Sequence, residues 1–386
     1  MRLAPFAIER YFARFEFDLP YLLSSSDCEA LTLSETLAMA DTECRAMWDA
    51  LTLGYTESPG LSLLREEIAG MYDTVAAEHV IEVVPEEGIF LAMQAILEPG
   101  DHVVTGFPGY QSLYSVAEAV GCEVSRWEPH EASGWRFHVA DLRRLIRPTT
   151  RLVVLNAPHN PTGFLPSRDE FAEIVDVVSE VGAWLFSDEM YRYLERDPSR
   201  RLPAAVDLYD RAVSLSGMSK AFSMPGARVG WLAVRDPTLM ARVAELKDYT
   251  TICAAAPSEV LALIGLRNRD AIAARNLAII ARNLAAIEEL AARRADILRW
   301  ISPVAGSVGL LRVDIAGGAT AMCEHLAVEA GVMLLPSTVF DHGDSHVRLG
   351  FGRSAFAEGL AVFSRWLDDA YPVGTDDRPS SNGAMR

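Results

Sequence analysis

Among its 35 lysines and arginines the 386-residue chain carries only two lysines, Lys220 and Lys247. Lys220 lies in "SLSGMSKAFSMPGARVGW" (214–231), a run of Ser, Gly, Ala, Met and Pro where a surface charge rarely belongs. Small neighbours give access to an amine and apolar ones disfavour its ammonium form, which is what a nucleophilic lysine needs. A composition bias toward arginine explains why lysine is scarce, but not where this one remains. Lys247, in "MARVAELKDY", reads as an ordinary solvated helix lysine. Four more residues with chemical potential follow candidate strands: Asn156 and then Asn160 after "RLVVL", Asp188 at the end of "AWLFSD", and Tyr191 just beyond it. Arg228 comes eight residues after Lys220, within reach of an anion near it.

These groups need a scaffold that brings them to one edge. From about residue 55 to 250, short apolar runs alternate with helix-period segments. The candidate strands are "HVVTGF" (102–107), "RLVVL" (151–155), "AWLFSD" (183–188), "AVSLS" (212–216) and "VGWLAV" (229–234). Near-continuous apolar strands with helical crossovers imply a mostly parallel α/β sheet covered on both faces. In such sheets ligands sit outside the carboxyl ends of the strands, where the listed groups emerge. A long helical pattern runs from about 257 to Trp300, and shorter strands ("LLRVDIA", "GVMLLP", "HVRLGF") then suggest a smaller α/β domain. Ahead of a helical run, "PEEGIF" (85–90) offers Glu87 and Gly88 as backbone N–H donors to a phosphate.

A reactive lysine, an acid for a ring nitrogen and an anchored phosphate suit pyridoxal 5'-phosphate. The motifs resemble the fold type I, class I/II aminotransferase superfamily. "GMSKAFSMPGARVG" looks like its lysine signature, making Lys220 the Schiff-base lysine and Arg228 the phosphate arginine. "NAPHNPTG" and "SDEMY" resemble motifs that give Asn160 and Tyr191 to the phenolate oxygen and Asp188 to the pyridine nitrogen. "FPGYQSLY" resembles the region of the stacking aromatic, here Tyr110, and "HVRLGF" the motif whose arginine, Arg348, grips the substrate α-carboxylate. Asn160 is implied at the substrate as well. "GYTESPGLSLLRE" resembles the segment whose tyrosine, Tyr55, reaches the phosphate of a second subunit, which implies a homodimer with shared active sites. One departure is Gly217, where many relatives carry a hydroxyl for the phosphate; Ser214, Ser216 and Ser219 are the candidates to replace it.

The resemblance implies a large domain over 51–270 built on a mostly parallel seven-stranded sheet, and a small α/β domain over 271–371. An N-terminal segment, 1–50, would pack on the small domain and active site, and 372–386, polar and rich in turn formers, reads as a disordered tail. The implied reaction begins with loss of the Cα proton of an amino acid to Lys220. Transamination is the leading outcome; elimination, replacement or cyclisation is the alternative. The wording of "SSSDCE" and "PGYQSLY" is also similar to capreomycidine-synthase-like enzymes of natural-product pathways.

Composition narrows the partners. A net charge of −18 argues against nucleic acid or an anionic membrane, and leaves a small cationic substrate open. Five scattered cysteines without a CxxC fit a reducing cytoplasm, and the charged N-terminus lacks the apolar core of a signal peptide. A different class of function, an effector-sensing regulator with an aminotransferase-like domain, would need a DNA-binding module; only about 50 residues precede Tyr55 and the chain is acidic. "DHGDSHV" spaces His342 and His346 at a helical interval, but its Gly and the strand pattern after it argue for a loop and no metal. In "YLLSSSDCEALTLSETL" (21–37), Asp27 and Glu29 have two readings. Either they face the substrate and favour a cationic side chain, or Ser26 or Asp27 caps the next helix with Glu29 in its first turn. The stability and substrate ranking of the amide variants separate the two.

Overall fold

The computed structural model describes residues 2–372. Its centre is a seven-stranded sheet made of β1 (Val80–Val83), β2 (His102–Gly106), β3 (Glu123–Trp127), β4 (Thr150–Asn156), β5 (Trp184–Asp188), β6 (Ala212–Gly217) and β7 (Gly230–Val234). The order across it is β1-β7-β6-β5-β4-β2-β3. Five strands run parallel from β6 to β3, whereas β7 is antiparallel to both β6 and β1.

Alternation along the strands explains why both faces are covered. Leu152 and Val154 of β4 join one apolar cluster, with helices Pro85–Ile96, Ser112–Val120 and Pro237–Lys247 over it. Val153 and Leu155 turn the other way, into a cluster with Phe171, Ile174 and Val178 of helix Arg168–Glu180. Each such side chain, fully buried, contributes about 1.5–3 kcal/mol relative to exposure. Gly88 illustrates how close the layers lie: a Cβ there would stand 2.9 Å from Val83 and 3.1 Å from Leu215.

The sheet is mostly parallel as the resemblance implies, with "VGWLAV" as its antiparallel strand. The sequence reading needs two corrections here. "VIEV" and "EVSRW" are strands that the pattern did not reveal, because Glu82 interrupts the first and the second is a half-exposed edge. The long helical run is two helices, Ala256–Arg267 and Arg269–Arg293, broken at Asn268, and Leu298–Trp300 beyond them is a strand.

The C-terminal unit is built on a four-stranded antiparallel sheet with His346–Gly350 in its interior. The N-terminal segment docks here. Tyr21–Leu22 pairs in parallel with Val332–Met333, and Ile8 and Tyr11 of helix Ala7–Phe15 pack on Met333, Leu335 and Phe340. The chain near His342 is a loop, with His346 held by Glu131 (3.2 Å) and Asp344 capping Thr320 (2.7 Å). The proposed tail beyond Pro372 lies outside the described residues. Among the described residues no helix is long and apolar enough to cross a membrane.

Candidate active site

A cavity of about 380 Å³ opens at the carboxyl ends of the parallel strands. Register does the first part of the positioning, since Asn156 and Asp188 are direct partners at the ends of β4 and β5. Asp188 is 6% exposed, its Oδ1 accepts the N–H of Met190 (3.1 Å), and burial pushes its pKa up to about 7 even though Lys220 opposes the rise. A carboxylate so placed lacks a cationic partner, and a protonated pyridine nitrogen would supply one. Tyr191, one turn on, is buried with its hydroxyl free of any hydrogen bond of ordinary length, although Ser26 and Arg348 are near enough to lower its pKa against the larger effect of burial.

Lys220 follows β6 and donates from Nζ to Ser26 Oγ at 2.7 Å. Burial lowers its pKa, with Asp27 opposing and Arg348 adding to the fall. Asn156 Oδ1 accepts the backbone N–H of Asn160 (2.6 Å), fixing the turn that carries Asn160. Asn160 Oδ1 in turn accepts from Arg348 Nη1 (3.2 Å). Arg348, on strand His346–Gly350 and 2% exposed, also donates from Nη2 to Ser24 O (2.7 Å), while its buried Nε has no partner. Three buried atoms of cavity-lining residues, Ser25 Oγ, Tyr191 Oη and Arg348 Nε, thus have no hydrogen-bond partner among the described residues and are available to a ligand.

At the other end of the cavity Arg228 adopts a left-handed backbone (φ 57°), a conformation that costs a non-glycine residue about 1 kcal/mol, and donates to Pro225 O (3.0 Å). Ser219 lines the cavity, whereas Ser214 is committed to Glu189 (2.8 Å), and Ser216 is not among the lining residues. Gly217 has no room for a hydroxyl-bearing side chain: a Cβ would sit 2.9 Å from Gly230 Cα and 3.0 Å from the Pro85 ring. Tyr110 lines the cavity with its ring against Phe6, centroids 5.1 Å apart.

Several expected residues are not where the sequence suggested. Gly88 N–H already donates to Val84 O (2.9 Å), and its missing Cβ serves packing on the sheet, so it is no anion donor. The Glu87 side chain turns away to Val84 N (3.2 Å), Thr250 and Thr251 (2.8 Å to its hydroxyl) and does not line the cavity. Pro85 and Glu86 line it instead. Tyr55, by contrast, is 91% exposed and outside the cavity of its own chain, as a residue meant for a second subunit would be. Glu29 does not reach the cavity either; it accepts from Ser354 N (2.8 Å) and Ser354 Oγ (2.7 Å). The capping reading fails too, because Thr32 and Glu35 form the capping box of helix Leu33–Ala38. Asp27 does line the cavity, in a two-pronged pair with Arg353 (3.1 and 2.9 Å). Lys247, expected in solvent, is 1% exposed.

Sequence reasoning missed Ser26 as the lysine's partner, and Glu9, Phe12, Glu16 and Glu86 in the cavity wall. The N-terminal helix offered a signal: Ile8, Glu9, Phe12 and Glu16 recur at intervals that place them on one face.

Comparison with known proteins agrees with this geometry. The model of the family "Aminotransferase class I and II" matches residues 23–357. Capreomycidine synthase of Streptomyces vinaceus is 32% identical over 73% of this chain and 72% of its own. Valine–pyruvate aminotransferase of Mycobacterium tuberculosis is 30% identical over 82% and 84%. The crystal structure of a PLP-dependent aminotransferase from Streptococcus suis superposes with a TM-score of 0.89 at 30% identity, covering 96% of this chain and 99% of that one. The chain belongs to the class I and II aminotransferase family and is a pyridoxal-phosphate-dependent enzyme.

Proposed function

We propose, with membership of the class I and II aminotransferase family as premise, that the cavity holds pyridoxal phosphate on Lys220 and moves the amino group of an amino acid. The observation that carries the assignment is the convergence in one cavity of Lys220 with Asp188, whose pKa burial pushes up to about 7. When bound, the cofactor supplies an electron sink for the pair left as Cα loses its proton. Asp188 would keep the proton on the pyridine nitrogen. Tyr191 and Asn160 would hold the phenolate oxygen, Tyr110 would cover the ring, and Ser219 and Arg228 would take the phosphate. Arg348 would bind the α-carboxylate through its unpartnered Nε. Lys220 Nζ, already biased toward the neutral amine by burial, would then accept the Cα proton.

Exposed Tyr55 supports a homodimer in which that ring completes the phosphate site of the second copy. A fully active monomer in sedimentation at assay concentration would refute it. A second reading takes the same proton loss on to elimination, replacement or cyclisation. It is favoured by the likeness to capreomycidine synthase, which is named for a product it makes and not for an amino-group transfer. The five cysteines are all free thiols, which supports a reducing, cytoplasmic setting. Borohydride reduction followed by peptide mass analysis tests the core of the proposal. The pyridoxyl adduct is expected on the peptide containing Lys220, and an adduct on Lys247 overturns it. Product masses with an oxo-acid acceptor separate transamination from the second reading.

A further inference from the structure

Five carboxylates line the cavity, Glu9, Glu16, Asp27, Glu86 and Asp188, against the cations Lys220, Arg228, Arg348 and Arg353. The reading above matches most of these charges. Arg348 meets an α-carboxylate, Arg228 a phosphate, and Asp188 a ring nitrogen; Arg353 is already paired with Asp27. Glu9, Glu16 and Glu86 remain, and none of them makes an ion pair among the described residues. Glu86 stands in the first turn of helix Pro85–Ile96 beside Tyr110 and Ser112, whose hydroxyls stabilise its anion against burial. It therefore belongs to the cofactor end.

Glu9 and Glu16 are different. They flank Phe12 on the cavity face of the N-terminal segment, seven residues and so about 10 Å of helix apart. Glu16 is half-buried, and desolvation raises its pKa; Arg353 and Lys220 oppose the rise while Glu9 and Asp27 reinforce it. Glu9 is exposed and Glu16 half-buried, and two carboxylates with an aromatic ring between them suit a cation that is planar and weakly hydrated. Arg348 and Lys220, which line the same cavity, would supply the fixed point by holding the backbone end of the substrate.

We infer that Glu9 and Glu16, with Phe12 between them, form the side-chain subsite of this enzyme and select an amino acid carrying a guanidinium group. The inference rests on the assignment of Lys220 and Arg348 given under Proposed function. It gives the N-terminal helix a role in substrate choice beyond docking on the small domain.

The test uses the holoenzyme with L-arginine, L-lysine, L-norleucine and L-glutamate as donors. L-Arginine is expected to exceed norleucine at least tenfold in kcat/KM, with lysine between them and glutamate lowest. Glu16→Gln and Glu9→Gln are each expected to raise KM for arginine about tenfold and to leave kcat/KM for norleucine within twofold, a split that general destabilisation would not produce. Norleucine equal to arginine, lysine preferred to arginine, or equal losses on arginine and norleucine in both variants overturns the subsite while leaving the Lys220 assignment intact. No change in the cofactor's visible absorption with any amino acid overturns the assignment and the subsite together.

Discussion

Both lysines of an arginine-dominated chain lie inside the protein, and they differ in how completely the ammonium is held. Lys247 is 1% exposed and donates to two carbonyls, Ser58 O at 2.8 Å and Ile252 O at 2.9 Å. Glu82 and Glu259, each 2% exposed, lie close by, and Lys247 lowers the pKa of Glu82. Lys220 has one hydroxyl partner, Ser26, and borders a cavity. A carbonyl cage with acids nearby stabilises a permanent ammonium. A single hydroxyl at a cavity edge leaves an amine that can lose its proton and react.

Replacing each lysine should separate the two roles sharply. Lys220→Arg keeps the charge but removes the nucleophile, so turnover should fall by about 10³-fold or more with the melting temperature nearly unchanged. Lys247→Met strands two buried carbonyls and leaves the acids uncompensated. It should cost about 3 kcal/mol in urea unfolding while the cofactor adduct still forms on Lys220. Equal stability losses from the two variants, or a Lys247→Met protein as stable as the original, would collapse the contrast.

Why one lysine was legible in the sequence and the other was not follows from the range of their contacts. Lys220, Asp188 and Asn160 each follow a strand that is readable as a short apolar run, and the end of such a strand is a local signal. The cage of Lys247 is assembled by Ser58, 189 residues away, and no local pattern announces it. Asp27 meets Arg353 across 326 residues, so its partner was equally hidden. Glu82 was misjudged for a related reason: a charged residue inside a strand reads as a break, yet β1 is buried along its length. The antiparallel course of β7 was also beyond reach, since a β-branched run has no direction. Gly217 was noticed as a departure, but only the packing of Pro85 against it shows why a side chain is absent there.

The same contrast extends to the buried acids beside each lysine. Burial brings Asp188 up to about 7. A pKa raised on folding means that protonation favours the folded state: its contribution is full below the unfolded value near 4 and is lost as pH rises through 7. The apoenzyme should therefore be relatively strained at pH 8. Asp188→Asn, uncharged throughout, should stabilise the apoprotein there by about 2 kcal/mol, with the difference shrinking toward pH 5. Loading the cofactor should erase the deficit of the original protein, since the ring nitrogen supplies the missing cation. Thermal unfolding of apo and loaded forms at the two pH values measures this, and a deficit that survives loading would separate Asp188 from the cofactor.

Glu82 solves the same problem without a ligand. Burial and the neighbouring Glu259 push its pKa up to about 9, with Lys247 opposing, so it is protonated at pH 7. Its two oxygens have no hydrogen-bond partner, and Gly60 is pressed so close that a Cβ there would lie 2.7 Å from Glu82 Cβ. Glu259 meanwhile accepts the N–H of Leu61 at 2.6 Å. The sign is the same as at Asp188 but the window is higher, with stability full below the ordinary carboxyl range and lost as pH rises through 9. Glu82→Gln has nearly the same shape as the protonated acid and should unfold with the original protein near pH 4. As pH rises the original loses stability, because its unfolded chain gives up a proton that the folded chain keeps, and by pH 7 the variant should be the more stable by about 2 kcal/mol. Melting curves from pH 4 to 9 that stay parallel would mean that Glu82 holds no such proton.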